Sequence, residues 1–325
     1  MIIVRSPLRI SFGGGGTDLA SYYTKKKGFV VSGAINKYVY ITITKPFEKG
    51  IYLKYSKSEK VKNIRDVNHK IFRETIKKFS DNLNQIEITA LADIPSGTGL
   101  GSSSSFTNAL IKAIFENNGK RISKRKLAEL SCYIEINKLN APIGKQDQYI
   151  SSFGGLKSMT FNKNHGVSIK DLKISKKKVK DLEKKLVLYF TNFKRDANII
   201  LKDQDDKSKQ GNSLIINNLN SVKLIGKKIE KILENGELDK FGIIMNEHWE
   251  IKKKRSKIMS NKFINKIYTS GLKNGALGGK LVGAGGGGFL LFYTKNRKKL
   301  KKSMLKFGLR EIPFKFDFKG TVVLK

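Results

Sequence analysis

The chain has 325 residues and is 39% hydrophobic, enough for real cores and too much for global disorder. A single cysteine, Cys132, excludes an intrachain disulfide framework, and no run of about 18 apolar residues exists to cross a membrane. The 65 Lys plus Arg against 27 Asp plus Glu leave a formal charge of +38, yet the lysines are spread along the whole chain beside abundant Asn and Ile, which fits compositional drift better than a nucleic-acid surface. Residues Met1 to Pro7 lack the basic and long apolar segments of a signal peptide, so the expected location is the cytoplasm, with no membrane partner.

Ile2 to Ser6 and Leu8 to Phe12 read as extended, broken by Pro7, and run into Gly13 to Gly16. Lys37 to Thr44 alternates polar and apolar residues, as a half-buried strand does, and Ile51 to Tyr55 is a further strand candidate. Ile71, Phe72, Ile76 and Phe79 fall on one face of a helix; Ile86 to Leu91 is again a strand. Phe106 to Phe115 predicts a helix whose start lies at the preceding serines, and Ser123 to Leu139 predicts another, N-capped by Ser123. The lysine-rich stretch Ser175 to Lys185 reads as a solvated helix face and marks a junction between residues 1–178 and 179–325. The second half is more helical (Ser213 to Leu233, Leu238 to Lys253, Lys262 to Leu272), then extended over Gly279 to Tyr293 and Lys319 to Leu324. The pattern predicts two α+β domains.

The sharpest local feature is the loop Pro95, Ser96, Gly97, Thr98, Gly99, Leu100 and Gly101, leading into Ser102 to Ser105 between a predicted strand and a predicted helix. Its glycines let the backbone take positive φ and approach a ligand. The free N–H groups and the dipole of the helix start then favour an anion, and a serine hydroxyl could ligate a magnesium ion. A flexible linker is the alternative, but linkers are rarely flanked this tightly by apolar strand and helix. No G-x-x-x-x-G-K-[ST] pattern occurs here or at Gly275 to Lys280, so neither is a P-loop. Gly283 to Gly288 matches G-x-G-x-x-G but precedes a strand-like segment, so it fails as a dinucleotide fingerprint.

Three segments, Ser6 to Asp18, the loop from Pro95, and Lys280 to Phe289, resemble in order the signature motifs of the GHMP kinases. The resemblance implies the two-domain α+β fold of that family, with an N-terminal nucleotide-binding domain and a ferredoxin-like C-terminal domain. It also implies ATP and Mg²⁺ as cofactors. Residues Pro95, Gly97, Gly99, Leu100, Gly101, Ser102, Ser103 and Ser104 would hold the nucleotide. A fourth segment, with Glu135, Gly144, Asp147 and Gln148, is similar to the family's E-x(8)-G-x-x-DQ stretch. By that match Asp147 accepts the proton of the attacking hydroxyl, and Arg9 sits beside it and helps neutralise the reacting phosphoryl group. Glu135 would ligate Mg²⁺ together with Ser103 or, less favoured, Ser102.

The acceptor side would draw on Gly15, Gly16, Thr17 and Asp18 from the first motif and Gly285 and Gly286 from the third. The finer wording of these segments resembles the heptose 7-phosphate kinase branch, which implies transfer of the ATP γ-phosphate to an anomeric hydroxyl of a sugar phosphate. L-fucose- or galactose-type kinases, and a basic nucleic-acid-binding protein, are the alternatives. A phosphorylated acceptor needs a cation; Arg195 is the candidate and Lys157 a weaker one. His69, His165 and His248 share no ligand spacing, Asp203 to Asp206 lack the rest of a Ca²⁺ loop, and Lys252 to Arg255 read as a solvated helix end.

Overall fold

The computed structural model describes residues 1–82, 84–193 and 197–325. The first strand, β1 (Ile2–Gly13), runs unbroken through Pro7, contrary to the expected interruption. Its pairing register shifts between Pro7 and Leu8, and at such an irregularity the missing proline N–H breaks no regular ladder. After α1 (Ala20–Lys26) comes β2 (Gly28–Thr44), more than twice the predicted length. Its first eight residues are buried on both faces and therefore show no alternation; only the outer half is patterned.

The first half continues with β3 (Gly50–Lys54), β4 (Ser58–Val61), α2 (Lys70–Phe79) and β5 (Gln85–Ala92), the last two matching the expected helix and strand closely. The serine-led helix is α3 (Ser102–Asn117), and Ser123 caps α4 (Lys124–Cys132) by accepting from the Lys126 N–H. The predicted single helix to Leu139 instead widens into a π-helical turn over Tyr133–Lys138, where the Leu139 N–H reaches the Ile134 carbonyl. Next follow α5 (Gln146–Phe153), which apolar periodicity does not mark, β6 (Leu156–Phe161), β7 (Val167–Asp171) and α6 (Lys176–Lys185).

The second half contains β8 (Leu186–Phe190), α7 (Ala197–Lys209), α8 (Ser213–Glu234), α9 (Leu238–Lys253) and α10 (Lys262–Lys273). The stretch expected to be extended from Gly279 is a hairpin, β9 (Ala276–Leu281) and β10 (Phe289–Thr294), joined by the glycine loop. Then come α11 (Arg297–Leu305), β11 (Glu311–Ile312) and β12 (Val322–Val323).

Two sheets result. The larger runs β12-β1-β2-β5-β3-β4, with β6 and β7 added along β2, and only its β3–β5 pair is parallel. The smaller is antiparallel, β11-β8-β10-β9. This is the α+β architecture expected from the pattern. Helices α2 and α3 cover the larger sheet through Phe72, Ile76, Leu110 and Ile114 against Ile41, Ile51 and Ile88. A second core joins both sheets: Phe12 and Val31 from one meet Leu188 and Leu291 from the other, with Phe241 of α9 packed among them. Each such side chain contributes about 1.5–3 kcal/mol on burial, so the two halves are held as one body around the cleft between them.

Candidate active site

The cleft is built by backbone packed on backbone. Gly97, Gly99 and Gly101 all have positive φ (75°, 85° and 78°), and Gly101 forms the left-handed cap of α3. The Arg9 N–H donates to the Leu100 carbonyl at 3.0 Å, zipping this loop onto β1. A Cβ on Gly283 would lie 2.5 Å from the Gly99 carbonyl oxygen, and one on Gly288 2.1 Å from that of Thr98. Only glycine lets the first phosphate-type loop and the β9–β10 loop touch this closely.

At the floor, Arg9 grips Asp147 at two points: Nε donates to Oδ1 at 2.7 Å and a terminal nitrogen to Oδ2 at 2.6 Å. The other terminal nitrogen donates to the Gly99 carbonyl. Gln146 adds a donor to Asp147 Oδ1 at 3.0 Å. A Cβ on Gly101 would sit 3.2 Å from Asp147 Oδ2, so the helix start and the carboxylate are neighbours, as the sequence motifs require. Asp147 lies in the first turn of α5, where the helix dipole favours its charge.

Behind this pair, Ser103 Oγ donates to Glu135 Oε1 at 2.6 Å and Gln148 Nε2 to Oε2 at 2.8 Å. Glu135 is buried, and burial, reinforced by the charge of Asp147, pushes its carboxyl up to about 7. A carboxylate and a hydroxyl are hard oxygen donors suited to Mg²⁺, which takes few protein ligands and fills its sphere with phosphate and water. The pair Glu135 and Ser103 fits that ion, the hydroxyl being already bonded to the carboxylate; Ser102 and Ser103 both line a groove with Tyr55, His69, Leu91, Pro95 and Phe106. That groove encloses about 540 Å³, within the range of small-molecule sites. His69 is therefore more than ordinary surface: it caps α2 and stacks at 5.2 Å on Phe106 in the groove wall. Ser104 is buried against the helix start.

The deeper cavity is lined by Arg9, Gly15, Gly16, Asp18 and Asp147. Asp18 accepts from the Gly16 and Gln146 N–H groups at 3.0 and 3.1 Å, and Gly144 leaves room for it: a Cβ there would fall 2.0 Å from Asp18 Oδ2. Burial, then the charge of Asp147, raises the Asp18 carboxyl above its usual range.

Several expectations need correction. The Thr17 hydroxyl is fully buried and bonded to the Gly14 and Phe29 carbonyls, so it fastens the glycine turn and does not face the cavity. Gly285 packs on Met259 and the Gly286 N–H donates to the Met259 carbonyl; Gly283 and Ala284 line the cavity in their place. Lys157 is ion-paired with Asp171 at the β6–β7 ladder, away from the cleft. Arg195 lies outside the described residues.

Lys252 and Arg255, read as a solvated helix end, are only 5% and 6% exposed and reach into the cavity with His248 and Lys280. The signal was present. Phe241, Met245, His248, Lys252 and Arg255 follow one another at helical spacing, so the last three continue the buried stripe of α9. Burial, with help from Arg255, pushes the Lys252 amine down to about 7; burial lowers Arg255 to about 10 and drives Lys280 and His248 well down.

Two family domains match the chain: "GHMP kinases N terminal domain" over residues 69–155 and "GHMP kinases C terminal" over residues 229–308. The D-glycero-alpha-D-manno-heptose 7-phosphate kinase of Campylobacter jejuni is 31% identical, covering 98% of this chain and 96% of that protein. The L-fucokinase/L-fucose-1-P guanylyltransferase of Bacteroides fragilis is 26% identical over 90% of this chain and 34% of its own length. Among solved structures, a D-glycero-D-manno-heptose 1-phosphate kinase from Bacteroides thetaiotaomicron superposes with a TM-score of 0.82 at 24% identity, covering 100% of this chain and 99% of that one.

Proposed function

Since this chain belongs to the GHMP kinases and is a sugar kinase, we propose that it transfers the γ-phosphate of ATP to the anomeric hydroxyl of D-glycero-D-manno-heptose 7-phosphate, giving the 1,7-bisphosphate. The observation that carries the chemistry is the two-point Arg9–Asp147 pair set against Gly101 at the start of α3. The choice of heptose 7-phosphate is supported by the Campylobacter relative, which the chain matches along almost its whole length.

In this reading the N–H groups of the 97–104 turn and the α3 dipole hold the nucleotide phosphates, and the groove beside Tyr55 and Phe106 receives the base. Three of the roughly four acceptor positions of the Asp147 carboxylate are taken by Arg9 and Gln146, leaving one for the acceptor hydroxyl. Asp147 takes that proton as the anomeric oxygen bonds to the γ-phosphorus and the bridging bond to the β-phosphate breaks, releasing ADP. Arg9 holds Asp147 in line and offsets charge on the transferring group. Asp18 retains capacity to accept from sugar hydroxyls beyond its two backbone donors. Glu135 and Ser103 would hold Mg²⁺, which supplies neutralisation of the phosphate oxygens.

A panel of acceptors assayed with ATP tests this: heptose 7-phosphate, L-fucose, galactose and mevalonate, with ³¹P NMR to locate the new phosphate. The highest kcat/KM should fall on heptose 7-phosphate, with a new anomeric phosphate signal. Turnover confined to the unphosphorylated compounds would reject the substrate.

A further inference from the structure

Lys252, Arg255 and Lys280 enter the acceptor cavity from the C-terminal half, from the end of α9, the turn after it and β9, and none forms an ion pair among the described residues. Their protein partners are mostly neutral carbonyls and amides. Lys280 Nζ donates to the Phe12 carbonyl at 3.0 Å, Lys252 Nζ to the Leu281 and Gly283 carbonyls, and Arg255 to Asn218 and Gln204. An ammonium has three donors and a guanidinium five, so this set is under-used. One terminal nitrogen of Arg255 and both ring nitrogens of His248 are buried with no hydrogen-bond partner among the described residues.

Buried cations that repel one another and lack an anion are costly unless a ligand completes them. Arg9, the remaining cation of the cavity, is committed to Asp147. The wall's own acid, Asp18, is tied to two backbone N–H groups and is a single carboxyl facing three basic side chains. The nucleotide-type groove shares no lining residue with this cavity.

We propose that Lys252, Arg255 and Lys280, with His248, form the receiving site for a phosphate monoester already carried by the acceptor. This rests on the kinase reading above and says how that enzyme would select phosphorylated over neutral sugars. The dianion accepts from the free Arg255 nitrogen and from the unused ammonium donors, while the sugar lies toward Asp18 and Asp147. It also gives the role first looked for at Arg195 to a cluster at the C-terminal end of α9 and on β9.

The test uses inorganic phosphate as probe, with the full enzyme and no substitution. Phosphate should inhibit competitively against heptose 7-phosphate and not against ATP; competition with ATP would overturn the proposal by placing these cations at the nucleotide. Arg255→Gln and Lys252→Gln should each raise KM for the phosphorylated acceptor about tenfold or more, with KM for ATP within about twofold, and Arg255→Lys should recover part of the loss. Unchanged acceptor KM in folded variants overturns the anion site while the kinase reading stands. If the wild type turns over only neutral sugars, the substrate reading falls instead. Phosphate that still competes with that sugar, through Arg255, then upholds the anion site, and phosphate that does not removes it.

Discussion

Replacing Asp147 with Asn isolates one charge at the centre of the site. The carboxylate accepts two bonds from Arg9, at 2.7 and 2.6 Å, and the Arg9 side chain is only 6% exposed against 22% for Asp147. Removing one partner of a buried pair costs about 3–5 kcal/mol. Asn keeps one acceptor oxygen and Asp147 is partly solvated, so about 2–3 kcal/mol is expected, a fall in Tm of about 3–4 °C for a chain of this length. Chemistry suffers separately: without a base for the attacking hydroxyl, kcat should drop about 10²-fold or more, equivalent to about 2.7 kcal/mol of barrier. KM for ATP should change by less than about threefold, because the phosphates are held by the turn at the start of α3. Steady-state kinetics on protein whose folding is verified by circular dichroism separates the two effects. A folded Asp147→Asn protein with wild-type kcat would remove this carboxylate from the mechanism.

Glu135 makes stability depend on pH and metal together. Its carboxyl is raised from 4.5 to about 7, so the folded chain favours the protonated form; stability is greatest at low pH and falls by about 3 kcal/mol between pH 4.5 and 7 in chelator, with Asp18 acting in the same direction. On the proposed Mg²⁺ role the ion would take the ionised form and should recover most of that loss above pH 7, whereas Glu135→Gln should flatten the slope and abolish the Mg²⁺ effect; urea unfolding at pH 5 and 8 reads both. Gly101→Ala forces a side chain at φ 78° and sets a Cβ 3.2 Å from Arg9 Cγ and Asp147 Oδ2, so kcat should fall at least about tenfold. Gly119→Ala, at φ 68° with nothing within 4 Å, carries the same backbone strain of about 1–2 kcal/mol and should leave kcat alone. Equal kcat losses in the two would mean that strain, not crowding of the Arg9–Asp147 pair, is responsible.

Much of the site was legible because its chemistry dictates residue types that stand out in any chain. Glycines needed for positive φ and for contact between loops occur in runs, and the serines that begin α3 follow them directly. Arg9 and Asp18 flank the first glycine run, Glu135 and Asp147 belong to the fourth segment, and the fold brings Arg9, Asp18 and Asp147 to one cavity with Glu135 joined to the start of α3 through Ser103. The elements that escaped are those in which burial and polarity part company. The first half of β2 is buried on both faces, so it lacks the period of two that revealed its second half. Helix α5 buries Gln146, Gln148, Ser151 and Ser152, polar side chains that periodicity counts as outward-facing; Asn108 meets two of those residues, at the Gln148 carbonyl and the Ser151 hydroxyl. The π-helical turn at Glu135 is invisible to a search at 3.6 residues per turn, and such turns gather where a helix must re-aim a functional side chain.

The same reasoning explains why the cations of the C-terminal wall were misread. A run of Lys and Arg at a helix end is ordinarily solvated, and Lys254 is exposed as that rule predicts. Lys252 and Arg255 differ only in phase: they fall where Phe241 and Met245 have already defined the inward stripe. Lys280 obeys the strand version of this logic, on β9 whose last four residues are all buried. A long basic side chain at a core position is tolerated only when its polar end reaches something polar, and here Lys252 donates to the Leu281 and Gly283 carbonyls and Lys280 to the Phe12 carbonyl in the cavity lining. A charged residue in phase with an apolar stripe is thus marked by the sequence as buried, and in so basic a chain phase separates these basic side chains from the many lysines that face water.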